Sequence, residues 1–137
     1  MKKTGYFLVA LLLIFSGSCK KYTQQQEQNA LVSLITNGVW VVTRYVDNGT
    51  DITSTFSGYV FQFQSNGTVI GTKAMISTPG TWSGDLNART ITSNFPSVGD
   101  PLDKLNTVWK ITDSYPDSVA ATGVINANTN ILNLHKQ

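Results

Sequence analysis

The stretch Tyr59-Val60-Phe61-Gln62-Phe63-Gln64-Ser65-Asn66-Gly67-Thr68-Val69 decides how the rest of the chain is read. Tyr59, Phe61 and Phe63 alternate with Val60, Gln62 and Gln64, the period of a strand with one buried face. Asn66-Gly67 follows, and an Asn-Gly pair accepts the positive φ values of a primed turn, so the chain must double back as a hairpin into Thr68 onward.

Working outward, the same grammar recurs on both sides. Upstream, Val39 to Val46 reads as a strand closed by Asp47-Asn48-Gly49. Downstream come strands over Thr68 to Ala74, a short Gly80-Thr81-Trp82-Ser83, Thr90 to Ser93, Asn106 to Thr112, Ser118 to Val124 and Asn130 to His135. Pro, Gly and Asn clusters punctuate them, including Gly84-Asp85-Leu86-Asn87, Tyr115-Pro116-Asp117 and Asn126-Ala127-Asn128. The longest irregular connection is Asn94 to Lys104. Eight short strands joined in sequence point to an all-β, antiparallel, up-and-down sheet that hides its edges by closing into a barrel, with a flattened sandwich as the alternative. Ahead of it, Ala30, Leu31, Leu34 and Ile35 have helical spacing, and Asn37-Gly38 is a helix stop, so a short helix over Asn29 to Thr36 packs on one end.

The N-terminal residues describe an address. Lys2 and Lys3 precede an apolar run from Tyr6 to Phe15, which is short of the roughly 20 residues a membrane span needs and ends in small residues, Ser16-Gly17-Ser18. Residues 1–18 therefore read as a secretory signal peptide. The sole Cys of the chain, Cys19, follows directly. Residues 19–28 are polar and Gln-rich, too poor in apolar groups to order themselves, and read as a tether. Residues 29–137 form one domain, large enough to bury a core without disulfides.

Composition limits the function. Of 137 residues 13% are charged, and the formal charge of +2 rests on Lys2 and Lys3; without them eight basic residues face eight acidic ones. A near-neutral chain gives no basic surface for nucleic acid. His135 is the single histidine and lies near the C-terminus, where a frayed tail is expected, so neither a Ser/His nor a Cys/His nucleophile pair is indicated. One Cys and one His make no zinc site. Asp47-Asn48-Gly49-Thr50-Asp51 lacks the Gly at position six and the acid at position twelve of an EF-hand loop and reads as a turn. No catalytic residue, metal or cofactor is expected, and the chain does not read as an enzyme.

Two resemblances add to this. Ser16-Gly17-Ser18-Cys19 resembles the lipobox of bacterial lipoproteins, departing from it at Ser16, where Leu or Val is usual. The resemblance implies that the Cys19 thiol is diacylated, the signal removed and the new amino group acylated. Several acyl chains give stable anchoring where a single one gives only marginal binding. Lys20-Lys21 in place of an Asp favours the outer membrane, and the missing acidic cluster favours its periplasmic face over the cell surface. Asp117-Ser118-Val119 resembles the Asp-Ser/Thr-aliphatic acceptor of O-glycosylation in Bacteroidota, which would place a glycan on Ser118.

Gly38-Val39-Trp40 resembles the Gly-x-Trp signature of lipocalins, whose Trp closes one barrel end. Together with Phe56-Ser57-Gly58-Tyr59-Val60-Phe61-Gln62-Phe63, Ser65-Asn66-Gly67-Thr68-Val69, Gly80-Thr81-Trp82 and Leu105-Asn106-Thr107-Val108-Trp109, it resembles small lipocalin-like lipoproteins of the Bacteroidota over residues 31–137. That family implies an eight-stranded barrel and, by analogy of fold only, a small apolar ligand. The inner face would then carry Trp40, Phe61, Phe63, Trp82 and Trp109, as core or as the wall of a ligand cavity, with Arg44 on the same face of the first strand to orient an anionic head group. The alternative is a filled barrel whose surface, chiefly Asn94 to Lys104, contacts another envelope protein.

Overall fold

The hairpin forms as read. In the computed structural model, which describes residues 18–96, 98–125 and 130–137, β3 (Val60–Phe63) and β4 (Thr68–Lys73) pair antiparallel with Phe63 opposite Val69. Gly67 takes φ +86° in the turn, and Asn66 Oδ1 accepts the Thr68 N–H at 3.0 Å.

The remaining strands are β1 (Trp40–Asp47), the two-residue β2 (Thr50–Asp51), β5 (Ile76–Asp85), β6 (Thr90–Asn94), β7 (Thr107–Tyr115), β8 (Ser118–Gly123) and β9 (Ile131–Lys136). Each pairs with its sequence neighbour, apart from β2, which only folds back on β1 as a hairpin flap; β1 pairs with β3 at Trp40↔Phe61 and with β9 from Trp40↔Lys136 to Val46↔Ile131. Eight strands thus close as an antiparallel barrel with one N-terminal helix. Closure also anchors β9 on both flanks, so His135 lies in a paired strand, between Val41 and Ser118, rather than in a frayed tail.

Two local readings change. The strand expected at Gly80 to Ser83 is ten residues long and contains Pro79. β6 pairs with it only from Thr81 onward, so one flank of its first half has no partner to be denied a hydrogen bond by proline. The helix, α1 (Ser18–Thr36), begins eleven residues before Asn29. Seven of its eleven extra residues are Lys, Gln or Glu, which lose little rotamer freedom in a helix, and no Gly or Pro is among them. Residues 19–28, expected to be an unordered tether, are therefore helical, and the last of them is fixed to the barrel: Gln28 donates to the Gly84 carbonyl and accepts from the Leu86 N–H, both at 3.2 Å. Among the described residues no helix is long and apolar enough to cross a membrane. Met1 to Gly17 of the expected signal peptide, and the turn at 126–128, lie outside the described residues.

Candidate functional site

The barrel interior was the expected site, and its two ends are closed differently. At one end α1 lies across the opening. Ile35 is buried under it, Leu31 reaches Gly84, and the Trp40 indole N–H donates to the Ile35 carbonyl at 2.9 Å. Trp40 has no exposed surface, and the Lys136 ammonium sits 5.0 Å from its ring centre. Trp40 thus faces inward at the end that α1 covers.

The opposite end is stoppered by a single 3-10 turn, Leu102–Leu105, inside the long connection. Leu102, Leu105 and Phe95 are all buried. Polar bonds fix this stopper: the Leu105 carbonyl accepts from Ser93 Oγ (2.6 Å) and the Trp109 indole (3.4 Å), the Lys104 carbonyl accepts from the Tyr45 hydroxyl (2.6 Å), and Asn106 exchanges two hydrogen bonds with the Phe95 backbone. Among the described residues no buried side-chain polar atom lacks a partner. Burial, with smaller contributions from Asp47 and Asp103, pushes the Tyr45 phenol well above its ordinary pKa of 10.0.

Between the closures lies a cavity of about 40 Å³, lined by Ile35, Val42, Phe61, Phe63, Val69, Ile91, Phe95, Leu105, Trp109, Ile111, Val119, Ala121, Leu132, Leu134 and the Ser93 hydroxyl. Ligand pockets run from about 300 to 1,000 Å³. This space would take one or two waters by volume, but its one hydroxyl is already committed to Leu105, and a water needs two to four polar partners. It is a packing gap in an apolar core.

Of the side chains expected to line it, Phe61, Phe63 and Trp109 do. Trp40 is end closure. Trp82 packs edge-on against Phe63 at 5.5 Å and donates its indole N–H to the Gln64 carbonyl at 2.8 Å, so it lies behind the cavity wall. Arg44 is not in the interior at all. A bulge between Val42 and Arg44 inserts one extra residue into β1, and because side chains alternate with period two, every position beyond it changes face. Arg44 is exposed, and Tyr45, 1% exposed, fills the inward place against Phe56 and Trp109.

Ser118 opens β8, half-buried between Tyr115 and His135 in the sheet. Cys19 lies in the first turn of α1, and its side chain is outside the described residues. Asp47 to Asp51 forms the expected turn, with Asn48 and Gly49 at positive φ; Asp51 accepts from the Thr53 N–H and hydroxyl, which lowers its pKa. No group of three or more His, Cys, Asp or Glu suited to a metal occurs among the described residues.

Phe95, Leu105 and Tyr45 were not singled out by sequence. Their packing shows only in the fold, where a Cβ at Gly80 would stand 2.6 Å from the Asn94 carbonyl oxygen and 2.8 Å from the Phe95 ring.

No family model matches the chain, and no curated protein matches it either. A solved structure, that of a duf4847 family protein from Bacteroides vulgatus ATCC 8482, is similar in fold, with a TM-score of 0.56 at 14% sequence identity over 78% of this chain and 99% of that one. At that identity the likeness is one of fold.

Proposed function

We propose that the protein is a lipid-anchored envelope component whose barrel is a filled scaffold and which acts through its outer surface. The cavity size carries this reading: about 40 Å³ is far below what even a small apolar ligand needs, and both ends are stoppered by buried, hydrogen-bonded side chains. A lipocalin-like ligand would have to displace Leu105 or Ile35. The anchor is Cys19 at the outer membrane, on its periplasmic face. The continuous α1 then makes the link to the lipid a helical rod of about 1.5 Å per residue. The protein is proposed to bind another envelope component rather than to catalyse a reaction.

Native mass spectrometry of the protein extracted from its own host tests the scaffold. A bare lipidated chain, or one with a protein partner, is expected; a stoichiometric apolar small molecule would overturn the filled-barrel reading and favour ligand carriage. Fractionation of Cys19→Ala tests the anchor separately, with release from membranes expected and retention contradicting it.

A further inference from the structure

A concavity lies on the outside of the barrel. A groove of about 340 Å³ runs along β8, within the size range of small-molecule sites. Register explains its form. Two rows of outward positions cross three strands: Tyr115, Ser118 and His135 in one, Asp113, Ala120 and Asn133 in the other. In both rows the β8 residue is small and its neighbours are larger. Ser118 and Ala120 are the floor, and the flanking strands, about 4.8 Å to either side, raise the walls. A bulge in β7 between Ile111 and Asp113 brings Asp113 onto the outer face.

The wall chemistry is specific. One wall offers the Tyr115 ring, 61% exposed, and the Asp113 carboxylate; the other offers the Asn133 amide and the His135 imidazole. No lysine or arginine lines the groove. An apolar ligand would strand these polar groups, and an anion would face Asp113. A simple ammonium ion needs acceptors only, whereas this groove presents donors and acceptors together: the Ser118 hydroxyl, both ends of the Asn133 amide, and a carboxylate. Hydroxyl groups on a ring both donate and accept, and the C–H face of such a ring packs on an exposed aromatic. His135 does not make the cluster a hydrolase: Nδ1 lies 2.6 Å from the Lys136 carbonyl and Nε2 is 3.7 Å from Asp117, with no hydrogen bond to Ser118.

We infer that the groove over β8 binds a neutral saccharide, with Tyr115 as stacking platform and Asp113 and Asn133 as hydroxyl partners. The inference rests on the reading that the barrel acts through its outside.

Amide NMR shifts of the detergent-extracted, ¹⁵N-labelled protein, titrated with glucose, galactose, mannose, N-acetylglucosamine and their methyl β-glycosides, test it. At least one sugar is expected to shift Asp113 to Ala120 and Asn133 to His135 saturably. Tyr115→Ala and Asn133→Ala, both with unchanged spectra elsewhere, should each weaken it tenfold or more. No shift with any sugar, or a response to tetramethylammonium alone, overturns the saccharide site and leaves the outer-surface reading intact. Shifts centred on Phe61 and Val69 overturn both. An intact-mass excess abolished by Ser118→Ala would show the saccharide held covalently and overturn binding of a free one.

Discussion

Trp40 Nε1 donates to the Ile35 carbonyl at 2.9 Å, joining the last turn of α1 to the first residue of β1. The bond is buried, so its loss strands a carbonyl as well as removing a contact. Trp40→Phe is expected to cost about 1–3 kcal/mol for that group, and Trp40→Ala about 3–5 kcal/mol with the lost ring volume. Urea unfolding should show the midpoint falling with little change in slope. A loss within error for both would mean that the helix does not close the barrel.

The stopper at the other end depends on Gly80. A Cβ there would stand 2.6 Å from the Asn94 carbonyl oxygen and 2.8 Å from the Phe95 ring, and Phe95 is 1% exposed with nowhere to move. Gly80→Ala is expected to destabilise by about 1–3 kcal/mol through overpacking. Gly99→Ala, with nothing within 4 Å of the added atom, is the control and should stay within about 0.5 kcal/mol. Thermal melting of the pair checks the difference.

These two sites show what was legible in the sequence. Trp40 could be placed because it opens a strand next to a helix stop, a local pattern. So could the hairpin at Asn66-Gly67, and with it the alternation that puts Phe61 and Phe63 inside. Arg44 could not: a single inserted residue at Thr43 reverses which face follows, and no composition or period marks where a bulge falls. The length of α1 is illegible for a different reason. A polar Gln-rich stretch shows no apolar face, and its helix propensity takes effect only because the docked turns after Gln28 nucleate it. The stopper is a product of long-range packing, in which Leu102 and Leu105 are two apolar residues in an otherwise irregular loop.

Stability should fall at alkaline pH, through two groups around the stopper. Tyr45 is held protonated by burial and nearby Asp47 and Asp103, and Lys104 by its hydrogen bond and 2.9 Å ion pair with Asp47, so both folded pKa values lie above the unfolded ones of about 10.0 and 10.5. Above those values the unfolded chain binds fewer protons than the folded one, and stability declines as pH rises. Their contribution is complete below about pH 10 and is lost above it. Tyr45→Phe is expected to flatten the decline between pH 9.5 and 11.5 (roughly the window set by these ionisations) without abolishing it. Urea midpoints across that range decide; an unchanged slope would remove Tyr45 from the account.

The β4–β5 turn breaks the turn chemistry that the chain follows at Asn48-Gly49 and Asn66-Gly67. Ala74 (φ +50°) and Met75 (φ +66°) occupy the two central positions, between the paired Lys73 and Ile76. A side chain in this left-handed region costs about 1–2 kcal/mol per residue, which is why Asn-Gly dominates such turns. The β1–β2 turn uses that pair, Asn48-Gly49, and the contrast supplies opposite predictions. Ala74→Asn with Met75→Gly should stabilise by about 1 kcal/mol, once the added freedom of glycine in the unfolded chain is subtracted. Met75, 98% exposed, has no packing to lose. Gly49→Ala, at φ +82° with open space around the new Cβ, should destabilise by about 1 kcal/mol through conformation alone. Melting temperatures moving in opposite directions, by about 4 °C each, would confirm the pair. If the Asn-Gly variant is not stabilised, Ala74 and Met75 do not hold the left-handed conformation in solution.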